Sequence, residues 1–337
     1  MKKFLALLFC SLLVFLSSCN IYEEEIYKEV EGGLEIHYID VGQADSSLII
    51  CNDETMLIDG GNVSDSRLLV SYIKNLGITK LDYVVCTHAH EDHVGGLSGP
   101  LNVFEIGTVY GPKVENDIKT YDDFKKSALK KVEEIKHPEV GEMITLGESE
   151  ITFLAPVTDY EDLNDTSIAL RLLFGETSFL FTGDATYNAE YDIIDTELIL
   201  KSDVYKVAHH GSSSSNSYRF LREVMPKYAI ISCGEDNSYG HPHKETLSRL
   251  NDLESEVYRT DLSGNIVLKS DGKNITVETL KNAKIEDEID KYIGNKNSMK
   301  FHLQSCNALP IEKNRIYFES KSEAISMGYS SCGNCRP

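Results

Sequence analysis

Four side chains suited to metal binding lie within six residues of one another: His88, His90, Asp92 and His93. Imidazole nitrogens and carboxylate oxygens are ligands for zinc, manganese or iron. His88 and His90 are two residues apart in a turn, so both can face one ion. Asp92 and His93, further along the turn, can face a second. Two such ions can hold a hydroxide between them, so the pattern predicts a hydrolytic site with two divalent ions, Zn or Mn.

Short strands must position this cluster. The apolar run 81–86 predicts a buried strand that ends just before His88. Asp184 and His209 also follow apolar, strand-like runs. All these candidates can therefore meet at one edge of a sheet. Periodicity alone predicts no more than a mixed α/β chain.

A series of motifs resembles the metallo-β-lactamase fold superfamily of metallohydrolases, and more narrowly the hydrolase domain of the DNA-uptake competence protein ComEC. The resemblance implies a four-layer α-β-β-α sandwich, an α/β fold, over residues 34–282. The matching motifs, in order, are Tyr38–Asp45, Leu57–Gly61, His88–Gly96, Asn164–Ser167, Thr182–Asp184, His209–Ser212 and Gly240–His243.

The resemblance also implies roles for residues outside the first cluster. Asp59 would orient a ligand histidine by accepting its N–H, and Asp184 would bridge the two ions. His209 or His210 would complete the second site, and His209 is favoured. Many superfamily members supply another histidine before the bridging aspartate, but none lies between His137 and Asp184 here. The remaining candidates for completing the first site are Asn164 and Asp165, and water is the alternative.

Histidines near the metals but not bound to them can act as general acids. His241, in a loop, and His243, at the start of a predicted helix, are the candidates. With Asp92 they form the predicted catalytic set. The alternative for either histidine is a role in the loop or the helix cap.

The first 19 residues have the composition of an export signal. A basic start, Met1–Lys3, is followed by the apolar run 4–16 and by small residues before Cys19. The end of this segment resembles a bacterial lipobox, so Cys19 is predicted to be the lipid anchor and residues 20–33 a tether. The protein would then be exported and held on the outer face of the bacterial cell membrane. An ordinary secretory signal with an incidental cysteine is the alternative.

The composition fits a globular protein with an acidic surface. Hydrophobic residues make up 41% of the chain, and 54 acidic residues against 33 basic ones give a net charge of −21. This charge argues against tight, non-specific DNA binding, although cations in an active site would add local positive charge. Cys51, Cys86 and Cys233 lie in apolar runs, so we expect them in the core and predict no disulfide scaffold.

The C-terminal tail carries a second metal-binding pattern. His302 and Cys306 form one pair of soft ligands, and Cys332 and Cys335 form another. This spacing predicts a structural zinc site, and the tail resembles the metal-binding domain of the Ada DNA-repair protein. Residues 283–297 would be a linker and 298–337 the zinc domain. A Cys332–Cys335 disulfide is the alternative.

Together these features predict a lipid-anchored, extracellular, metal-dependent hydrolase, a nuclease or phosphodiesterase acting on DNA through a metal-activated hydroxide. Components of a DNA-uptake system are the expected partners. One alternative substrate is a phosphodiester of the cell envelope, such as a phosphorylcholine-bearing teichoic acid. Another alternative is a non-catalytic lipoprotein that binds DNA or a wall polymer.

Overall fold

The computed structural model describes residues 30–114, 118–279 and 292–337, apart from 304, 305, 307, 319, 320 and 336. The predicted signal segment with Cys19, residues 20–29 of the tether and residues 283–291 of the linker lie outside these residues. In the part of the chain that is described, no helix combines the length and the apolar character needed to cross a bilayer.

The strands form three sheets. In chain order they are β1 Leu34–Tyr38, β2 Ser47–Cys51, β3 Glu54–Ile58, β4 Lys80–Val85, β5 Glu105–Tyr110, β6 Met143–Leu146, β7 Ser149–Ala155, β8 Ala169–Phe174, β9 Thr177–Phe181, β10 Val204–Lys206, β11 Tyr228–Ile231, β12 Glu256–Arg259, β13 Ile266–Ser270, β14 Ile275–Thr279, β15 Tyr292–Asn295, β16 Lys300–Leu303, β17 Arg315–Phe318 and β18 Ser330–Ser331. The sheet orders are β14-β13-β1-β2-β3-β4-β5, β12-β11-β10-β9-β8-β7-β6 and β17-β15-β16-β18.

The α-helices lie mostly between strands. They are α1 Ser66–Asn75, α2 Glu91–Val94, α3 Ser98–Val103, α4 Lys119–Ala128, α5 Tyr187–Asp195, α6 Tyr218–Val224, α7 Lys244–Asp252, α8 Thr260–Ser263 and α9 Lys321–Ser326.

The two large sheets pack face to face, and helices cover their outer faces. Ile49 of β2 and Phe179 of β9 belong to one buried cluster between the sheets. The next residue toward the start of β2, Leu48, packs with α1 on the opposite face, because successive side chains of a strand point to opposite faces. Residues of α6 such as Phe220 cover the second sheet in the same way. The α-β-β-α sandwich expected from the sequence is therefore confirmed.

Parallel strands direct the candidate ligands to one edge. In the first sheet β3, β4 and β5 run parallel. In the second sheet β9, β10, β11 and β12 do the same. In parallel sheets, ligand sites form beyond the carboxyl ends of the strands.

The C-terminal sheet begins earlier than the sequence indicated. Strand β15 pairs with β16 and β17, yet it lies inside the range 283–297 that was predicted as a linker. Phe301, Phe318 and Tyr329 form the small core of this sheet.

Candidate metal centre

Four turns at strand ends supply the site. Asp59 follows β3, the segment His88–His93 follows β4, Asp184 follows β9 and His210 follows β10. The turns after β3 and β4 pack closely, since a Cβ at Gly96 would lie 1.9 Å from the carbonyl oxygen of Gly60. Glycine at position 96 therefore permits the approach that brings His93 to Asp59.

One group of four ligands matches a complete metal site. Ligand atoms of Asp92, His93, Asp184 and His210 all lie within 4.8 Å of one another. Nε2 of His93 is 3.2 Å from Oδ1 of Asp184, and Nε2 of His210 is 3.2 Å from Oδ2 of Asp92. Four ligands at this spacing are what a tetrahedral divalent ion requires.

A second group faces the same aspartate. Nε2 of His88 lies 3.1 Å from Nδ1 of His90 and 4.0 Å from Oδ2 of Asp184. Asp184 thus lies within reach of both groups, with one carboxylate oxygen toward His93 and the other toward His88. This is the arrangement that a bridging ligand needs.

The structure separates Asn164 from Asp165. The buried Oδ1 of Asn164 has no hydrogen-bond partner among the described residues, and Asn164 lines the metal cavity. Asp165 instead accepts hydrogen bonds from the backbone N–H and the hydroxyl of Thr186, at 2.9 and 2.6 Å. Of the two candidates, Asn164 is therefore the better candidate ligand for the first site, because its unpartnered oxygen belongs to a residue that lines the cavity, whereas Asp165 is bonded to Thr186.

The residues present fit bound cations. Besides Asn164 Oδ1, the buried Nε2 of His93 and Oδ1 of Asp184 lack hydrogen-bond partners in the described part of the chain. These last two atoms lie 3.2 Å apart. Leaving buried polar atoms without partners is costly, and ions coordinated by these atoms would remove that cost. His88, His90 and Asn164 would hold one ion, Asp92, His93 and His210 the other, and Asp184 both.

Asp59 orients His93. Its Oδ2 accepts a hydrogen bond from Nδ1 of His93 at 2.8 Å, and its two oxygens also accept from the backbone N–H and the hydroxyl of Thr87. Because Nδ1 carries this proton, Nε2 of His93 keeps its lone pair toward Asp184.

His210, rather than His209, occupies the second site. The side chain of His210 is 2% exposed and that of His209 is 22% exposed. Nδ1 of His210 donates to the carbonyl of Ser232 at 3.0 Å and also lies 3.3 Å from Asp45. His209 lies 3.8 Å from Asp184 and His210 lies 3.6 Å from it, but only His210 is also 3.2 Å from Asp92 and belongs to the group of four ligands. The sequence favoured His209, and the structure corrects that preference.

A buried amide holds the turn that carries His210. Both His209 and His210 have left-handed backbone conformations, with φ of 52° and 53°. The carboxamide of Asn216 accepts from the backbone N–H of Ala208 at 3.1 Å and donates to the carbonyls of Ala208 and Ser212. Asn216 thus fixes both ends of a conformation that L-residues rarely adopt.

Glu190 of α5 supports Asn216. Its buried carboxylate accepts hydrogen bonds from the backbone N–H groups of Asn216 and Ser217. Burial raises the pKa of Glu190 to about 7 even though these bonds favour the ionised form.

The two candidate general acids differ in position. His241 lines the cavity, whereas His243 is not among the lining residues and has both ring nitrogens bonded, to Ser213 N–H and the carbonyl of Tyr239. Gln43 accepts from Gly234 N–H through Oε1, which turns its NH₂ toward Nδ1 of His241 at 3.4 Å. Nδ1 of His241 is then an acceptor, so Nε2 carries the proton of the neutral ring.

Electrostatics favour positive charge between the carboxylates. Burial opposes the protonated form of His93, but Asp184 and Asp59 outweigh it and raise its pKa well above the usual range. At His210 burial is again outweighed, and Asp184 and Asp45 raise the pKa to about 10. Divalent cations would supply the same charge in place of these protons.

Sequence reasoning did not assign several residues of this site. Lys206 and Asp45 form a buried ion pair behind His210, with 2.7 Å between Nζ and Oδ2. A lysine within an apolar strand is a usable signal, because such a residue is almost never buried without a partner. The cavity, of about 570 Å³, also has unassigned lining residues, Gln43, Asn62, Glu91 and Tyr239.

Comparisons with known proteins agree with this geometry. A family model described as the metallo-beta-lactamase superfamily matches residues 39–235. ComE operon protein 3 of Bacillus subtilis is 30% identical over 264 residues, which are 72% of this chain and 34% of that protein. Competence protein ComA of Neisseria gonorrhoeae is 29% identical over 247 residues, 72% of this chain and 33% of that protein. The chain thus spans about a third of the length of these relatives.

A solved structure shares the fold. A mutant of the β-hydroxylase CmlA, an enzyme from Streptomyces venezuelae, superposes with a TM-score of 0.50 at 14% identity, covering 72% of this chain and 55% of that chain. The family model covers more than half of this chain, and its match includes the residues from Asp59 to His210 that build the site. The chain therefore belongs to the metallo-β-lactamase superfamily and is related to the ComEC-like competence proteins.

Proposed function

We propose that this metal-dependent hydrolase is a phosphodiesterase that cleaves nucleic acid, with DNA as its substrate. The observation that carries the proposal is the position of Asp184, which faces both His88 and His93 at an open cavity. A pair of metal sites that share a carboxylate is suited to in-line displacement at phosphorus.

Individual residues of this chain would have separate roles in the reaction. When bound, the two ions supply a nucleophile at neutral pH and stabilise charge that develops on phosphoryl oxygens. Asp59 and Asn216 hold the ligands His93 and His210 in position. His241, whose Nε2 carries a proton in the tautomer set by Gln43, lines the same cavity and is the candidate to protonate the leaving oxygen.

The relatives support nucleic acid as the substrate. Two of them are competence proteins, and the motifs resemble the hydrolase domain of a DNA-uptake protein. We propose that this chain likewise acts with a DNA-uptake system. The net charge of −21 favours a smaller substrate, and it keeps an envelope phosphodiester as the second candidate.

The proposal also covers where the protein is located. We propose that Cys19 carries the lipid and that the hydrolase faces the outside of the cell membrane. In an expressing cell, Cys19→Ala should then release the protein from the membrane fraction. Retention of that variant in the membrane would count against the anchor.

We also propose one structural zinc ion in the tail. His302, Cys306, Cys332 and Cys335 offer ligand atoms within 4.8 Å of one another, and none of the three cysteines forms a disulfide. The buried Nε2 of His302 has no hydrogen-bond partner among the described residues. Metal analysis of the full chain should find one zinc fewer in Cys332→Ser. An unchanged zinc content would contradict this site.

The decisive experiment is a nuclease assay on single- and double-stranded DNA with Mn²⁺ or Zn²⁺ restored, beside bis(p-nitrophenyl) phosphate. We expect cleavage that a chelator and His90→Ala both abolish, and that His137→Ala, outside the ligand groups, preserves. Turnover of the small ester without DNA cleavage would favour the envelope substrate. If the protein binds two metal ions but turns over none of these substrates, the proposal that it is an enzyme is wrong.

A further inference from the structure

Tyr239 lies at the edge of the metal cavity, and its side chain is exposed to solvent. It lines the cavity and is 68% exposed, the largest value for any bulky apolar or aromatic side chain in the described part of the chain. Its ring lies nearly parallel to that of His241, with 5.7 Å between centroids and 22° between planes. One face of the Tyr239 ring is therefore backed by His241, the candidate general acid, and the other face is open to solvent.

The loop that carries Tyr239 is held by hydrogen bonds. Asn237 donates from Nδ2 to the carbonyls of Gly234 and His241, at 2.9 and 2.6 Å, and accepts from the backbone N–H of His241. The carbonyl of Tyr239 accepts from Nε2 of His243 at 3.2 Å. An exposed aromatic ring is therefore presented on a fixed backbone, so little conformational freedom is lost when something binds to it.

Apart from histidines, the described residues that line the cavity offer no basic side chain to bind the phosphates of a polymer. The described residues that line it include no lysine or arginine, and Glu91 and Asp92 are among them. Bound metal ions would hold the phosphate that is cleaved, but its neighbours in the strand meet no lysine or arginine in the described lining. Binding next to the cleaved bond must therefore come from an uncharged contact, and stacking of bases on aromatic rings is such a contact.

We propose that the exposed face of Tyr239, backed by His241, is a stacking subsite for the nucleobase next to the cleaved phosphate of a single-stranded nucleic acid. This inference rests on the proposed function and names the feature of the substrate that the site recognises. A quaternary ammonium group also binds tyrosine faces, but it is usually enclosed by several rings in a cage. A single open platform fits a flat base better.

The test compares wild type and Tyr239 variants on substrates with and without bases. Metal-loaded full-length wild type and Tyr239→Ala are assayed on a single-stranded oligonucleotide, on the same strand with abasic sites and on p-nitrophenyl phosphorylcholine. We expect Tyr239→Ala to raise KM about tenfold for the base-bearing strand and to leave KM for the abasic strand unchanged. Tyr239→Phe should behave as wild type. Fluorescence anisotropy with chelator present should show a similar weakening of strand binding by Tyr239→Ala.

Tyr191→Ala is the matched control, because Tyr191 is 40% exposed and stacked on Tyr187 but is not a cavity residue. An equal effect of Tyr239→Ala on both strands would overturn the stacking subsite. So would a loss confined to p-nitrophenyl phosphorylcholine, which would assign Tyr239 to a cationic headgroup. If wild type cleaves neither strand, the proposed function itself fails. If wild type cleaves both strands and Tyr239→Ala matches it, only this inference fails.

Discussion

The Nζ of Lys206 lies 2.7 Å from Oδ2 of Asp45, and both side chains are buried directly behind the metal ligand candidate His210. Burying a charge without a partner is costly, so each member of this pair depends on the other. The pair also links the two large sheets, because Asp45 follows β1 and Lys206 ends β10.

Removing the lysine should therefore unfold the chain more easily. Lys206→Met removes the nearer cation of buried Asp45 and leaves only His210, 3.3 Å away, so we expect a loss of up to about 3–5 kcal/mol in the free energy of unfolding. Denaturant titration of the metal-free protein measures it. Lys269→Met, which breaks a surface pair with Glu278, should cost less than about 1 kcal/mol. Similar losses of unfolding free energy in the two variants would show that the burial of an ion pair does not determine how much its removal destabilises the fold.

Asn216 should control metal affinity from a distance. Asn216→Ala removes the bonds that fix the turn of His209 and His210, so we expect affinity for one of the two ions to fall by about 10- to 100-fold. Calorimetric titration with Zn²⁺ measures it. Asn52→Ala is the control, because Asn52 is exposed and its φ of 54° is close to the φ of 62° at Asn216. An equal loss in the control would assign the effect to backbone strain alone.

Asp59 should act through His93. In Asp59→Asn the amide oxygen accepts less strongly than a carboxylate, so the ring of His93 is a weaker ligand. We expect about a 10- to 100-fold loss of metal affinity, accompanied by lower turnover that excess metal partly restores. Unchanged metal affinity in this variant would rule out the orienting role.

Glu190 should make stability depend on pH. Its pKa in the folded chain is raised to about 7, so between the unfolded value of about 4.3 and pH 7 the folded state binds more protons. The stabilisation that Glu190 contributes to the fold is therefore complete below about pH 4.3. It is lost as the pH rises to about 7, by on the order of 3 kcal/mol.

The comparison with Glu190→Gln isolates that contribution, because the other titrating groups are common to both proteins. The difference in unfolding free energy between variant and wild type should shift in favour of the variant as pH rises from 4 to 8. A difference that stays constant with pH would refute the raised pKa.

The sequence predicted which strands end at the site, and the resemblance supplied how the layers stack. The sequence alone could not decide whether His209 or His210 is the ligand of the second site. Their rings diverge because both residues have left-handed backbones in a turn held by Asn216, and that contact is visible only in three dimensions.

Two helices show the same limit. The sequence did not predict helix α5. Its buried face carries the charged residue Glu190 beside apolar residues such as Ile193, so the usual separation of apolar and polar faces is hard to recognise. The charged sequence around α4 predicts a helix from about Tyr121 to Ile135, but the helix ends at Ala128. Beyond it the chain pairs with β5 at the edge of the first sheet, where Lys136 donates to the carbonyl of Val109 and accepts from the N–H of Gly111. Both are cases in which tertiary contacts override a local pattern.

The pairing of β1 with β13, in which Leu34 lies opposite Ser270, has a consequence for biosynthesis. Strand β1 emerges early from the ribosome but finds its second neighbour only after the whole second sheet has been made. Until then one of its edges offers free backbone groups, which are a template for pairing with another chain. We therefore expect nascent or C-terminally truncated chains that end before β13 to need a holding chaperone, and folding to be completed only after synthesis.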